Sequence, residues 1–209
     1  MSRVRGLVVD VVHRPITYHI DREDRLHGFN AAWDDFARGN GGAALDAARV
    51  DGKLLWDYLE EETAQLYRRM VQRLRDGRPD IRFQFRCDAP DRRRLLAMHM
   101  SAAPNGDVEF VVTPVAEEGR ALVPVLDPAL ELDERFVVIC AWCKRVELAP
   151  GAWAEVEEAV PALGLFHSAT RPRLTHGICP DCSSGLHAML DDREPGAMET
   201  FAFGAVSLP

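Results

Sequence analysis

Two Cys-x-x-Cys pairs, CAWC at Cys140 and Cys143 and CPDC at Cys179 and Cys182, constrain this chain more than any other stretch of it. Two thiolates spaced by two residues grip one metal ion from a single turn, and two such turns complete a tetrahedral shell. The pattern therefore predicts a four-cysteine Zn²⁺ site. The zinc is expected to be structural, because four protein thiolates leave no open position for a reacting water. Thirty-five residues lie between Cys143 and Cys179, more than the roughly 15–20 of the commonest ribbon spacing. A hairpin in KRVELAPGAW and a helix from Trp153 to Leu163, with Trp153, Val156 and Val160 aligned and Pro161 ending or kinking it, would account for the insertion. Two other uses of the thiols stay open: a dithiol switch that releases zinc on oxidation, and an iron–sulfur cluster. Covalent c-type haem does not fit, since CAWCK lacks the usual His and no export signal is read. His176, in THGICPDC, either orients the second turn from behind the sulfurs or replaces one of them.

Charge argues about partners. Residues 1–115 carry 18 Lys and Arg against 18 Asp and Glu, so the whole net charge of −8 falls on residues 116–209, with 7 basic and 15 acidic groups. A zinc tetrathiolate adds about two more negative charges to that half. Nucleic-acid binding requires a basic face that releases phosphate counterions, so a DNA-binding zinc finger is not expected, and no nucleic-acid partner is. The apolar run GLVVDVV is too short to span a bilayer or serve as a signal segment. The expected location is the cytoplasm with no membrane partner, and reducing conditions there favour metal binding over disulfides.

Upstream of the thiols the pattern is strand, strand, helices, then three strands. RPITYHIDREDRLHGF reads as two extended runs around a polar turn, and Asn30 as the N-cap of a short helix, AAWDDFARG, with Asp34 and Asp35 solvated at its start. GNGGAALDAARVDG reads as an irregular loop without the Lys-Ser/Thr ending of a phosphate cradle. The longest helix follows, with Glu60, Glu61 and Glu62 at its N-terminus, arginines at its C-terminus, Gly77 as stop, and Leu66, Met70 and Leu74 as a core stripe. DIRFQFRCD alternates strictly, placing Ile81, Phe83, Phe85 and Cys87 on a buried face and Arg82, Gln84 and Arg86 outside. LLAMHMSAA and DVEFVVTPV complete a meander joined by short turns.

This order, and the stretches ITYHIDREDRLHGFNAAWDDFA, VDGKLLWDYL, LYRRMVQRLRDG and FQFRCDAPDRRRLLAMHM, resemble the PAS-like sensor modules of bacterial regulatory proteins over about residues 10–115. The resemblance implies an α+β fold, a five-stranded antiparallel sheet with helices on one face, a pocket that holds an unidentified small-molecule ligand in some members, and frequently a homodimer. The flavin-cysteine motif of the photosensing branch is missing. A haem-binding variant would need an axial ligand, for which His13, His19, His27 and His99 are available. Cys87, the unpaired cysteine, reads as a buried inert thiol rather than a redox sensor.

Prolines at 114, 124 and 128 interrupt any signalling helix after the last strand. The organisation expected is a PAS-like domain over 1–115, a linker over 116–135, a zinc-ribbon-like module over 136–190 and a tail over 191–209. CAWCKRV and THGICPDC resemble a C-terminal segment recurrent in bacterial PAS and response-regulator proteins, which again points to Cys140, Cys143, Cys179 and Cys182 as ligands. Ser183, Ser184 and His187 form no hydrolase elbow, and no catalytic constellation is found. The expected function is therefore non-enzymatic: a signalling or regulatory protein whose partners are other signalling proteins. The rival readings are a thiol-based redox or metal sensor with the zinc site as input, and a haem or flavin sensor.

Overall fold

The structure, a computed structural model, describes residues 14–165 and 170–191. His13 and the run GLVVDVV, and all of the expected tail beyond Asp191, lie outside the described residues.

Period-two alternation builds the first sheet. In β1 (Ile16–Ile20), Ile16, Tyr18 and Ile20 are buried while Thr17 and His19 face outward. The strand β2 (Leu26–His27) turns back on it. A meander of β3 (Ile81–Arg86), β4 (Arg92–Ala102) and β5 (Val108–Gly119) completes a five-stranded antiparallel sheet in the order β2-β1-β5-β4-β3. Central β5 joins the hairpin to the meander, pairing Tyr18 with Phe110 on one side and Met100 with Phe110 on the other.

Helices α1 (Ala31–Gly39), α2 (Ala47–Val50) and α3 (Glu61–Arg75) accompany this sheet. Asn30 caps α1 as expected, its side chain accepting the Trp33 N–H. Gly77, at φ +106°, takes the left-handed conformation that stops α3. Leu66, Met70, Val71 and Leu74 from α3 fill a core with Ile20, Met98, Met100 and Phe110. Tyr18 stacks on Phe110 with ring centres 4.7 Å apart. Two expectations are corrected here. The stretch between Gly39 and Gly52 is ordered as a 3-10 turn, Ala43–Leu45, followed by α2. Asp34 is not merely solvated, since its carboxylate accepts the Ala47 N–H at 2.8 Å and pins α2 to α1.

The end of β3 departs from strict alternation. Phe85 is only half-buried, Cys87 lies just past the strand and is also half-buried, and Arg86, assigned by pattern to solvent, is buried. The reason is that acidic groups close over its guanidinium: Arg86 pairs with Asp88 and, at 2.6 Å, with Glu155 from the C-terminal half. Asp88, 1% exposed at its side chain, also binds Arg120 at 3.1 Å, and Arg120 and Arg93 both reach Glu157. An ion network with a buried centre at Asp88 and partly exposed carboxylates at Glu155 and Glu157 thus spans the two halves.

A 3-10 turn, Pro124–Leu126, bridges to the second sheet, and Val123 and Val125 are buried beneath it. Strand β5 runs on to Gly119 and β6 (Glu131–Cys140) starts early, so the stretch read as linker is strand at both ends. The hairpin β7 (Val146–Ala149) and β8 (Ala152–Ala154) forms where expected, but it takes Trp153 into β8, and α4 (Val156–Ala162) begins only after it. Then β9 (Thr170–Gly177) pairs with β6 in parallel, giving the order β8-β7-β6-β9. Pro172 is tolerated because β9 is an edge strand. The final helix α5 (Pro180–Asp191) packs on α3. This half has a small core of its own, mainly Val137, Ile139, Val146, Val156 and Val160. Trp142 and the α5 residues Leu186, Met189 and Leu190 instead join the main core, with Trp142 lying 5.7 Å from Tyr67 and 5.9 Å from Phe83 between ring centres.

Candidate metal centre

The parallel pairing of β6 and β9 is what gathers the thiols. Parallel strands end on the same side of a sheet, so Cys140 at the end of β6 pairs with Gly177 at the end of β9, and the chain continues from each into a Cys-bearing turn. After β6 the backbone folds sharply: the Lys144 N–H donates to the Cys140 carbonyl at 3.1 Å and the Cys140 N–H to the Arg145 carbonyl at 2.7 Å. Lys144 adopts φ +62° to close this turn, an uncommon conformation for a residue with a side chain. The Ala141 N–H donates to the Gly177 carbonyl at 2.9 Å, tying the first turn to the second. Gly177 makes that approach easy, since a Cβ there would lie 3.1 Å from Val138 Cγ1 and Val138 would have to give by a few tenths of an ångström.

The second pair uses a helix terminus. Pro180 opens α5, where its missing N–H costs nothing, and Cys182 occupies the first turn. Cys179 immediately precedes the helix, its carbonyl accepting the Ser183 N–H at 2.9 Å and its own N–H donating to Cys140 Sγ at 3.4 Å. The helix N-terminus favours negative charge on these sulfurs.

The four sulfurs of Cys140, Cys143, Cys179 and Cys182 all lie within 4.8 Å of one another and all four residues are buried. A tetrahedral site with metal–sulfur bonds of about 2.3 Å has sulfur–sulfur edges of about 3.8 Å, and Cys143 Sγ and Cys179 Sγ are 3.7 Å apart. The cluster could therefore hold a metal ion. Its protonation points the same way. Donation by Cys143, then Cys179 and Cys182, holds the Cys140 thiol well below its ordinary range, and the same contacts from Cys140 and Cys143 push Cys182 far up. Four adjacent thiols cannot all ionise unless a cation joins them.

Arg145 was not foreseen as part of the site. Its Nε donates to Cys143 Sγ and its Nη2 to Cys179 Sγ, both at 3.3 Å, and the same Nη2 also donates to Asp181 at 2.7 Å. Bonds to Cys143 and Asp181 raise its pKa further. The signal available in the sequence was the Lys-Arg pair directly after Cys143 in an otherwise acidic half. Lys144 donates to the Ala141 carbonyl at 2.9 Å, and burial lowers its pKa against the pull of Cys87 and Cys140. His176 is not among the clustered ligands; its ring is exposed on β9.

Of the histidines considered for haem, the described ones, His19, His27 and His99, are partly exposed and paired with carboxylates. His19 and His27 stack on each other 5.5 Å apart and pair with Glu109 at 3.5 Å and Asp107 at 3.4 Å, while His99 pairs with Asp80 at 3.2 Å. Their neighbours in sequence, Tyr18, Ile20, Met98 and Met100, are the ones that point into the core. Burial pushes the Cys87 thiol up, with Lys144 and Arg94 offsetting part of the effect, which disfavours a reactive thiolate. No helix among the described residues is long and apolar enough to cross a membrane.

No protein-family model matches this chain, and no curated protein is significantly similar to it.

Proposed function

We propose that this is a non-enzymatic regulatory protein in which a PAS-like sensory or protein-interaction module is fused to a zinc-ribbon-like module held by a structural zinc ion. The observation that carries the reading is the buried four-cysteine cluster built into the core beneath a five-stranded antiparallel sheet with helices. The donor set supports zinc: four buried thiols gathered within 4.8 Å of one another suit zinc or an iron–sulfur centre, and the 3.7 Å between Cys143 Sγ and Cys179 Sγ is close to the edge of a zinc tetrathiolate. Zinc bound there supplies no reactive chemistry, because every coordination position is taken by protein. Cys140, Cys143, Cys179 and Cys182 hold it, and Arg145 compensates the surplus negative charge.

Burial of all four sulfurs supports a structural role over one as a redox input, since an oxidant has to reach a thiolate before it can release the metal. The sheet and helix order is the one that the PAS resemblance implies, and it supports signalling through ligand or partner binding. Its partners on this reading are other signalling proteins and a second copy of the chain. Elemental analysis and an absorption spectrum on the same purified sample test the proposal. One zinc per chain and no visible chromophore is the expected result. A visible iron–sulfur or haem spectrum, or a chain free of zinc, overturns it.

A further inference from the structure

A cavity of about 600 Å³ lies at the seam between the two halves, and its walls come from both. Tyr67 and Thr63 of α3 form one side, Phe85, Arg86 and Cys87 at the end of β3 another, and Trp142 and Lys144 of the first thiol turn the third. The volume falls within the range of roughly 300–1,000 Å³ typical of small-molecule sites. Three flat aromatic groups contribute to its apolar walls: Tyr67, Phe85 and Trp142.

His176 of β9 also lines the cavity, and the cationic and donor groups of its walls are only partly used. Lys144 forms no ion pair with a carboxylate among the described residues, and its ammonium, which has three donors, uses one on Ala141. The indole N–H of Trp142 and the hydroxyl of Thr63 are buried without a partner among the described residues. Arg86 does not supply the missing anion or need one, since Asp88 and Glu155 already hold it. Two carboxylates, Asp57 and Glu60, line the cavity only from exposed positions at its rim, where they repel a multiply charged anion.

We propose that this seam cavity binds a small monocarboxylate with a flat apolar body, the carboxylate pairing with Lys144 and the body lying among Tyr67, Phe85 and Trp142. Because Trp142 and Lys144 interleave with the thiols Cys140 and Cys143, the occupied cavity and the metal turn share a wall. The inference extends the sensory reading by naming where a ligand sits and of what class.

Phenylacetate and its uncharged twin phenylacetamide, titrated calorimetrically into the full zinc-loaded chain, test it. Phenylacetate is expected to bind saturably and at least about tenfold more tightly than the amide. Lys144→Met is expected to bring the two within about twofold of each other, and Lys144→Arg to keep the preference. Phe85→Trp, which fills the cavity without replacing a residue of the thiol turns, is expected to weaken both probes at least about tenfold. Failure of phenylacetate to bind, equal affinity for the two probes, or binding unaltered by Phe85→Trp overturns the proposal. Zinc measured on the same samples separates the two readings: absent binding with one zinc per chain removes the ligand site alone, and binding without zinc removes the metal reading alone.

Discussion

The two sheets of this protein solve the same problem with different means. The five-stranded sheet buries Tyr18, Phe83, Met98, Met100 and Phe110 against α3, so the hydrophobic effect suffices to hold it. The four-stranded sheet has only a thin layer of valines with one isoleucine, one leucine and an alanine, and its strands β7 and β8 are 4 and 3 residues long. Its cohesion comes instead from four thiols and from arginine–carboxylate contacts to the first sheet, both gathered at the end of the sheet where Ile139, Val146 and Ala154 align. A short chain segment that cannot build a deep core is expected to rely on such a staple.

The largest expected effect follows from cutting that staple. Cys140→Ser or Cys182→Ser, or a strong chelator, should remove the bound metal, for which comparable sites contribute on the order of 10–16 kcal/mol. Amide hydrogen exchange should then show β6 and β9 unprotected while β4 and β5 stay protected. Equal loss of protection in both sheets would erase the contrast between them. Next is the ion network. Asp88→Asn leaves Arg86 and Arg120 facing each other without their shared anion, and urea denaturation should record a loss of about 3–5 kcal/mol.

Smaller effects sharpen the division. Arg145→Met removes two donors from the sulfurs and should lower metal affinity about 10- to 100-fold, as read by chelator competition, with the five-stranded sheet intact. Least is a pH effect at Glu157. Burial opposes its ionisation, but the bonds from Arg93 and the charges of Arg93 and Arg120 prevail and lower its pKa below the ordinary 4.5. Its contribution is therefore present above the unfolded value and lost as pH falls through the lower folded one. Wild type should exceed Glu157→Gln by under about 1 kcal/mol at neutral pH, given partial exposure. The difference should vanish in acid; a gap that widened on acidification would reverse the sign.

What the sequence could disclose follows the range of the interactions. The antiparallel meander was legible because Ile81 and Phe83 alternate with polar residues and short turns join each strand to the next. The four ligands were legible because two-residue spacing is a local signature. The parallel β6–β9 pair was not, since its partners are separated by a hairpin and a helix, and TRPRLTHG offers no apolar run to announce a strand. Arg86 misled for a related reason: its alternation is that of an outward residue, and only the arrival of Glu155 from the other half buries it. Arg145 and the seam cavity likewise depend on contacts between distant stretches.

The parallel arrangement of β6 and β9 also bears on the time course of folding. Each thiol pair forms within its own local turn, but the pairs meet only once the intervening hairpin and α4 have crossed over and β9 has docked. Closing such a long loop is slow and comes before the contacts that reward it. Metal held by all four sulfurs thus acts late, as a latch on a finished crossover. In stopped-flow experiments saturating zinc should slow unfolding strongly while changing the refolding rate little.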